Sequence, residues 1–314
     1  MKTALPTKSH TPAPAPPYRG RFAPSPTGPL HFGSLIAATG SYLCARSQGG
    51  QWLLRIEDLD PPREQPGAAD EILRTLDGFG FGWDQAVSYQ SRHHQSYRQA
   101  LEQLLDAGHA YPCACSRKQI LATARHGPAG PVYPGSCRGG TGGRPARAVR
   151  VSTLDAHIEF IDAVQGPVRV DLERQIGDFE IRRADGYYAY HLALVVDDAA
   201  AGITEVVRGQ DLLACTPPQI HLQRLLRLPT PDYLHLPIAV NTRGQKLSKQ
   251  TFAAPLQLEQ AATQLCAALR FLGQQPPPEL SYAPLGEVWE WALAHWQAQR
   301  IPRVGQLPEP SLPL

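Results

Sequence analysis

No run of about eighteen uninterrupted apolar residues occurs in the 314-residue chain, which argues against a membrane-spanning helix. Charge of one sign is not in excess: 30 Lys and Arg face 28 Asp and Glu, leaving +2 at pH 7. That balance neither demands nor excludes nucleic acid, because a basic face is hidden in the sum. Methionine is nearly absent, at one residue, and nothing physical accounts for it. The first seventeen residues lack the continuous apolar core of a secretory signal. They are rich in Pro, Thr and Ala and read as a flexible, proline-stiffened leader, so the cytoplasm is the expected compartment. The 42% hydrophobic content excludes a wholly disordered chain, and the length suits two domains or one elaborated one. The 31 prolines and 27 glycines predict many loops. Of six cysteines, Cys113, Cys115 and Cys137 share one short segment, while Cys44, Cys215 and Cys266 are scattered. In a cytosolic chain that pattern favours a metal cluster over a disulfide framework.

Order is expected from Tyr18. Arg21 to Ser25 reads as a strand end running into a Pro/Gly loop. Apolar spacing at Leu35, Ile36, Leu43 and Cys44 predicts a helix over 33–47, and Trp52 to Ile56 is β-like. Strand, helix, strand predicts the opening of a parallel nucleotide-binding sheet. Further helices are expected over 67–79 and 95–107. From Tyr111 the texture changes, and residues 126–147 are rich in Gly, Pro and Arg without periodicity, a stretch the cysteines can staple. Short β-like runs follow at 148–151, 158–164 and 167–171. Periodic order returns at Tyr188, Leu234 to Val240 reads as one strand, and 255–300 as helical apart from Pro276–Pro278. The expectation is one α/β domain interrupted by an irregular insertion.

Two motifs carry chemistry. In Arg21-Phe-Ala-Pro-Ser-Pro-Thr-Gly-Pro-Leu-His-Phe-Gly-Ser34, prolines and glycines at a strand-to-helix junction allow close backbone approach to a phosphate, and His31 can donate to a phosphate oxygen. Some two hundred residues later, Lys246-Leu-Ser-Lys-Gln250 follows the Gly244 turn, and two lysines flanking a serine can clamp a polyphosphate. Each motif alone is weak; the pair in this order is far more specific. A third constellation is Cys113, Cys115 and Cys137. Three thiolates suit a structural zinc, which wants four ligands, and chemistry alone nominates His126 as the fourth.

Taken together, these blocks resemble the class I aminoacyl-tRNA synthetases. PSPTGPLHFGS is similar to the HIGH-type signature and KLSKQ to the KMSKS-type signature. RFAPSPTG, LLRIEDLD, YHLALVVDD and EVVRGQDLL resemble the glutamyl-specific subgroup, over most of the chain from Arg21 to Gln250. Ser34 stands where many class I enzymes have a second His, which removes one phosphate donor. Gln250 departs at the last KMSKS position. The resemblance implies a glutamate site of Arg21, Phe22, Ala23, Pro24, Ser25, Glu57, Tyr190 and Arg208. Arginine suits carboxylates because its planar fork binds both oxygens, and Glu57 suits the ammonium. It implies an ATP site of His31, Gly33, Ser34, Lys246, Ser248 and Lys249, with Mg2+ accompanying ATP and with His31, Lys246 and Lys249 catalytic. Lys249 is expected to matter more to adenylate formation than to glutamate binding.

Cys-x-Cys…Tyr-x3-Cys resembles the metal site of a short glutamyl-synthetase-like subfamily, the glutamyl-queuosine tRNA(Asp) synthetases, which puts Tyr133 beside the three cysteines. Only 64 residues follow Gln250, too few for the anticodon-binding region of a full glutamyl-tRNA synthetase. The implied fold is a Rossmann-type catalytic domain with a zinc-binding insertion and a small helical C-terminal part. Its expected division is a Pro-rich tail 1–17, catalytic halves 18–110 and 188–252, an insertion 111–187 and a helical segment 253–314. The implied reaction activates L-glutamate with ATP and transfers it to the cyclopentenediol of queuosine in tRNA(Asp), and the protein is expected to be a monomer that needs no membrane. The alternatives are a truncated synthetase charging a tRNA 3′ end, a non-catalytic glutamate- or tRNA-binding paralogue, and a nucleotidyltransferase. Arg138, Arg144 and Arg147 are candidates for the RNA backbone.

Overall fold

The computed structural model describes residues 17–127, 130–247 and 254–310. Ser248, Lys249 and Gln250 of the second signature lie outside the described residues.

The chain opens as β1 (Arg19–Phe22), α1 (Phe32–Ser47), β2 (Gln51–Ile56), α2 (Ala68–Gly78) and β3 (Ser88–Tyr89). β1, β2 and β3 are parallel neighbours, with Arg21 opposite Leu53. The helix α1 forms because its apolar residues fall on helical spacing, and Leu35, Ile36, Leu43 and Cys44 are all buried. It lies so close to the sheet that a Cβ on Gly40 would sit 2.6 Å from a methyl of Leu236.

After α3 (His94–Asp106), the middle third contains β4 (Ala110–Cys113), α4 (Arg117–Thr123), β5 (Arg125–Gly127), β6 (Gly130–Val132) and β7 (Ala148–Val151). The hairpin β8 (His157–Asp162) and β9 (Gly166–Asp171) follows, then the single turn α5 (Leu172–Gln175) and β10 (Glu180–Arg182). Strands β10, β7 and β4 make a small antiparallel sheet that carries the cysteine segment. Parallel strands return with α6 (Tyr190–Ala200), β11 (Glu205–Gly209), α7 (Thr216–Leu226), β12 (Asp232–Leu236) and β13 (Ile238–Val240). The parallel pair β11–β12 lies beside β1, where Thr204 N–H donates to Arg19 O and Arg19 N–H to the Thr204 hydroxyl.

Three expectations are corrected. Residues 234–240 are two strands, because Pro237 has no N–H to continue the ladder. The 255–300 stretch holds only α8 (Ala261–Phe271) and α9 (Leu285–His295) as α-helices, the remainder being 3-10 turns and loop around its prolines. The hairpin β8–β9, expected inside the insertion, pairs through β8 with β12 and so extends the β11–β12 sheet. A last strand, β14 (Gln306–Pro308), pairs with β13.

The main core gathers α1, the β1–β2 strands and the C-terminal helices. Trp289 of α9 packs 5.0 Å from both Tyr42 and Phe81, and its Nε1–H donates to Phe79 O at 2.8 Å. The C-terminal segment is thereby fastened to the first βαβ unit. Among the described residues no helix is long and apolar enough to cross a membrane.

Candidate active site

In an open parallel sheet, ligands sit beyond the carboxyl ends of the strands where the winding reverses. Here that point lies between β1 and β11, and a cleft of about 830 Å³ opens there. Arg21 and Phe22 end β1, and Ala23, Pro24 and Ser25 continue into the loop that follows it. His31, Gly33 and Ser34 open α1, Glu57 follows β2, Tyr190 begins α6, Arg208 is on β11, and Lys246 closes the wall. Every described residue nominated for glutamate or ATP therefore lines one cleft. The cleft is also walled by Arg63, Asp211 and Leu212, which sequence reasoning passed over.

His31 caps α1. Its Nδ1 accepts from Ser34 N–H at 3.4 Å, so the ring proton resides on Nε2. A donor at the positive end of a sixteen-residue helix suits an anion. A Cβ on Gly33 would come within 3.1 Å of the His31 ring, so glycine keeps that ring in place. The two signatures meet locally: Leu247 N–H donates to Ala239 O, Val240 bridges Lys246, and His31 bridges Pro255. Gly244 makes the intervening turn with φ of +72°. Lys246 Nζ lies 2.5 Å from Asp211 Oδ2.

The arginines differ in their partners. Arg21 directs Nε and Nη2 at Asp198, at 3.3–3.4 Å. Arg55 Nη1 reaches the same carboxylate at 2.6 Å and its Nη2 reaches Glu57 at 3.3 Å. Burial opposes charge on Asp198, yet Arg21 and Arg55 hold its carboxyl below the ordinary aspartate range. Burial pushes the Glu57 carboxyl up, only partly countered by Arg55 and Arg21. Arg208, 4% exposed, makes no ion pair among the described residues. Its Nη2 donates to Thr216 Oγ1 (2.7 Å) and Gln219 Oε1 (2.8 Å), Nη1 to Tyr190 Oη (3.3 Å), and Nε to His235 Nε2 (3.0 Å). A buried guanidinium with neutral partners only, facing a cleft, is chemically suited to a carboxylate.

Asp198, His235, Thr216 and Gln219 were not nominated from the sequence. The consecutive acids at 197 and 198 on an apolar helix were the one visible signal.

The cysteine segment forms a second centre, none of whose members lines the cleft. The sulfurs of Cys113, Cys115 and Cys137 lie within 4.8 Å of one another. The Tyr133 hydroxyl is 3.4 Å from Cys113 Sγ and 3.5 Å from Cys115 Sγ, and Cys115 and Cys137 are 3.6 Å apart. A tetrahedral centre with ~2.3 Å sulfur and ~2.0 Å oxygen bonds has ligand–ligand edges of roughly 3.5–3.8 Å, close to these three separations, so the donor set suits a four-coordinate metal. His126 is exposed on β5 and outside the cluster, whereas the Tyr133 hydroxyl lies beside two of its sulfurs. Burial opposes a thiolate at Cys137, but hydrogen bonds from Ala114 and Tyr133 bring it down to about 7.

Of the arginines nominated for RNA, Arg138 is spent inside the fold, bonding Asp178 at 2.7 Å and Glu173 at 3.0 Å. Arg144 donates to Thr141 O and lies 3.9 Å from Cys137 Sγ. Arg147 is exposed, with no side-chain bond among the described residues.

Residues 18–264 match the model of the class I tRNA synthetase (E and Q) catalytic domain. The chain belongs to that family. A curated relative from Dechloromonas aromatica, named glutamyl-Q tRNA(Asp) synthetase, is 57% identical over 290 residues, covering 91% of this chain and 96% of that protein. One of the same name from Chromobacterium violaceum is 56% identical over 286 residues, covering 91% and 95%. Among solved structures, a glutamate-tRNA synthetase from Elizabethkingia anophelis superposes with a TM-score of 0.74 at 24% identity, covering 93% of this chain and 68% of that one. That likeness supports the Rossmann-type synthetase fold.

Proposed function

We propose that this family member activates L-glutamate with ATP and transfers it to the cyclopentenediol of queuosine at the wobble position of tRNA(Asp). The observation that carries the glutamate half is Arg208, a buried cation whose partners among the described residues are all neutral, lining a cleft that also presents Arg21 and Glu57. The queuosine half rests on the relatives' shared name and their near-complete overlap with this chain.

In this reading one substrate carboxylate meets Arg208 and Tyr190, and Arg21 supplies the second positive wall. Glu57 takes the ammonium. ATP, with Mg2+, lays its phosphates at the start of α1, where the Nε2–H of His31 and the helix amides face them, with Gly33 and Ser34 alongside. Lys246 closes this side, and Ser248 and Lys249, nominated by the resemblance, also serve ATP. A glutamate carboxylate oxygen bonds to the α-phosphorus as the bond to pyrophosphate breaks. A queuosine hydroxyl then attacks the adenylate carbonyl, its proton is lost, and AMP leaves. Both steps need orientation and charge stabilisation rather than a covalent enzyme intermediate. Cys113, Cys115, Tyr133 and Cys137 hold one structural zinc, and the protein works as a cytoplasmic monomer.

ATP–pyrophosphate exchange, run with tRNA present, tests the first half. Exchange should depend on L-glutamate. Arg208→Lys, which loses the planar fork, should raise the KM for glutamate about tenfold or more while leaving that for ATP nearly unchanged. Exchange driven equally by glutamine, or unaffected by the substitution, contradicts the assignment.

A further inference from the structure

Arg208 is held from behind by a chain of buried polar groups that reaches the β8–β9 turn. His235, fully buried on β12, accepts from Arg208 Nε at its Nε2, 3.0 Å away. Its Nδ1 lies 2.6 Å from Asp162 Oδ2, and Asp162 is 1% exposed at the end of β8. Thr216 closes the set: its Oγ1 accepts from Arg208 Nη2 at 2.7 Å and lies 3.1 Å from His235 Nε2. A carboxylate can only accept, so Nδ1 carries the ring proton and Nε2 keeps a lone pair for Arg208.

We infer that Asp162 and His235 are positioning residues for glutamate recognition: Asp162 fixes the Nδ1–H tautomer of His235, and the Nε2 lone pair orients the Arg208 guanidinium so that Nη1 serves the ligand. The inference rests on Arg208 being the carboxylate receptor. It also gives the β8–β9 hairpin a part in the site that its place in the sequence does not suggest. The hairpin is firmly seated, since Gln165 Nε2–H donates to His235 O (2.9 Å) and to Val304 O (3.1 Å).

The hydrogen bonds make Asp162→Asn an informative change. Asp162 Oδ1 accepts from the backbone N–H groups of Val164 (3.0 Å) and Gln165 (2.8 Å), while the His235 N–H is shared between Oδ1 and Oδ2, 3.1 Å from each. The two donors that reach only Oδ1 dictate which way the amide faces: its oxygen stays there, and its NH2 takes the place of Oδ2. Nδ1 then faces a donor and must accept, so the ring proton moves to Nε2. Arg208 Nε–H loses its acceptor and meets a second donor.

The test compares wild type with Asp162→Asn, His235→Phe and His235→Gln, whose amide oxygen can stand in for Nε2. In glutamate-dependent exchange, the first two variants should raise the KM for glutamate about tenfold or more and leave the KM for ATP unchanged, while His235→Gln stays within about threefold of wild type. In 15N-histidine NMR spectra, the signal that vanishes in His235→Gln should report Nδ1–H in wild type and Nε2–H in Asp162→Asn. An Nε2–H or doubly protonated His235 in the wild type at neutral pH would overturn the inference. So would an unchanged KM for glutamate in Asp162→Asn, or a rise shared equally with ATP. Absence of any glutamate dependence in the wild type would instead defeat the glutamate reading, and the NMR tautomer would still judge the chain of bonds.

Discussion

Two arginines reach the cleft with the same charge and different company. Arg21 is already bonded to Asp198, so its field is half cancelled before a substrate arrives. Arg208 has only neutral partners, so a carboxylate gains most there. Their positions were legible from the blocks around them. Their partners were not, because Asp198 lies 177 residues from Arg21 and His235 lies 27 from Arg208, and no local pattern records such pairings. His191, next to Tyr190, shows what the charge of Arg208 does nearby. Its Nδ1 is sealed from solvent without a partner, and burial, aided by Arg208, pushes the imidazole down to about 4 from 6.5. Above pH 6.5 both folded and unfolded chains hold it neutral. As pH falls below that value, the unfolded chain takes a proton the folded one refuses, so the folded state loses stability. By pH 5 wild type should have lost roughly 2 kcal/mol relative to His191→Leu, which has no such proton to take. Urea unfolding of both proteins at pH 7 and pH 5 checks this. The same difference in stability at both pH values contradicts it.

The cysteine segment shows how little secondary structure a small element needs when its polar groups are shared. Residues 126–147 carry no periodicity, and the stretch was legible only as a segment in want of a staple. The structure gathers the segment around Tyr133, which is 3% exposed, turns its hydroxyl onto two sulfurs and accepts from Cys137 N–H at 3.1 Å. Arg150 lies over the Tyr133 ring at 4.4 Å and Arg144 near Cys137, so two cations accompany the donor set. Protein purified without chelator should contain about one zinc per chain. Tyr133→Phe should bind it more weakly, and Cys115→Ser should lose it, in elemental analysis after dialysis. Wild-type protein free of zinc, or retention of a full equivalent by Cys115→Ser, contradicts the assignment. The surrounding strands were better marked. The run at 148–151 stands as expected, whereas 234–240 breaks at Pro237 because a ladder position there lacks its donor.

At the scale of the whole molecule, the parallel sheet and its switch point were legible because strand, helix and strand follow one another closely between Arg19 and Ile56. The return of the chain was harder to read. The β8–β9 hairpin lies between segments of the insertion, yet it pairs with β12 because Asp162, at the strand end, binds the backbone and ring of His235. The C-terminal segment likewise reads as helical around a proline break, with no sign of what it packs on, while Trp289 makes it part of the first core. These long-range joins carry the site. They bring the His31 loop, the Arg208 strand and the Lys246 turn around one cleft that is open enough for a nucleotide and an amino acid. What enters third decides between queuosine and a tRNA 3′ end. The direct measurement supplies radiolabelled glutamate and ATP to tRNA(Asp) with and without queuosine, then digests the product and locates the label. The account predicts label on the anticodon fragment of queuosine-containing tRNA(Asp) only, with none on the terminal adenosine. Label on the 3′ end, or equal labelling of queuosine-free tRNA(Asp), would contradict it.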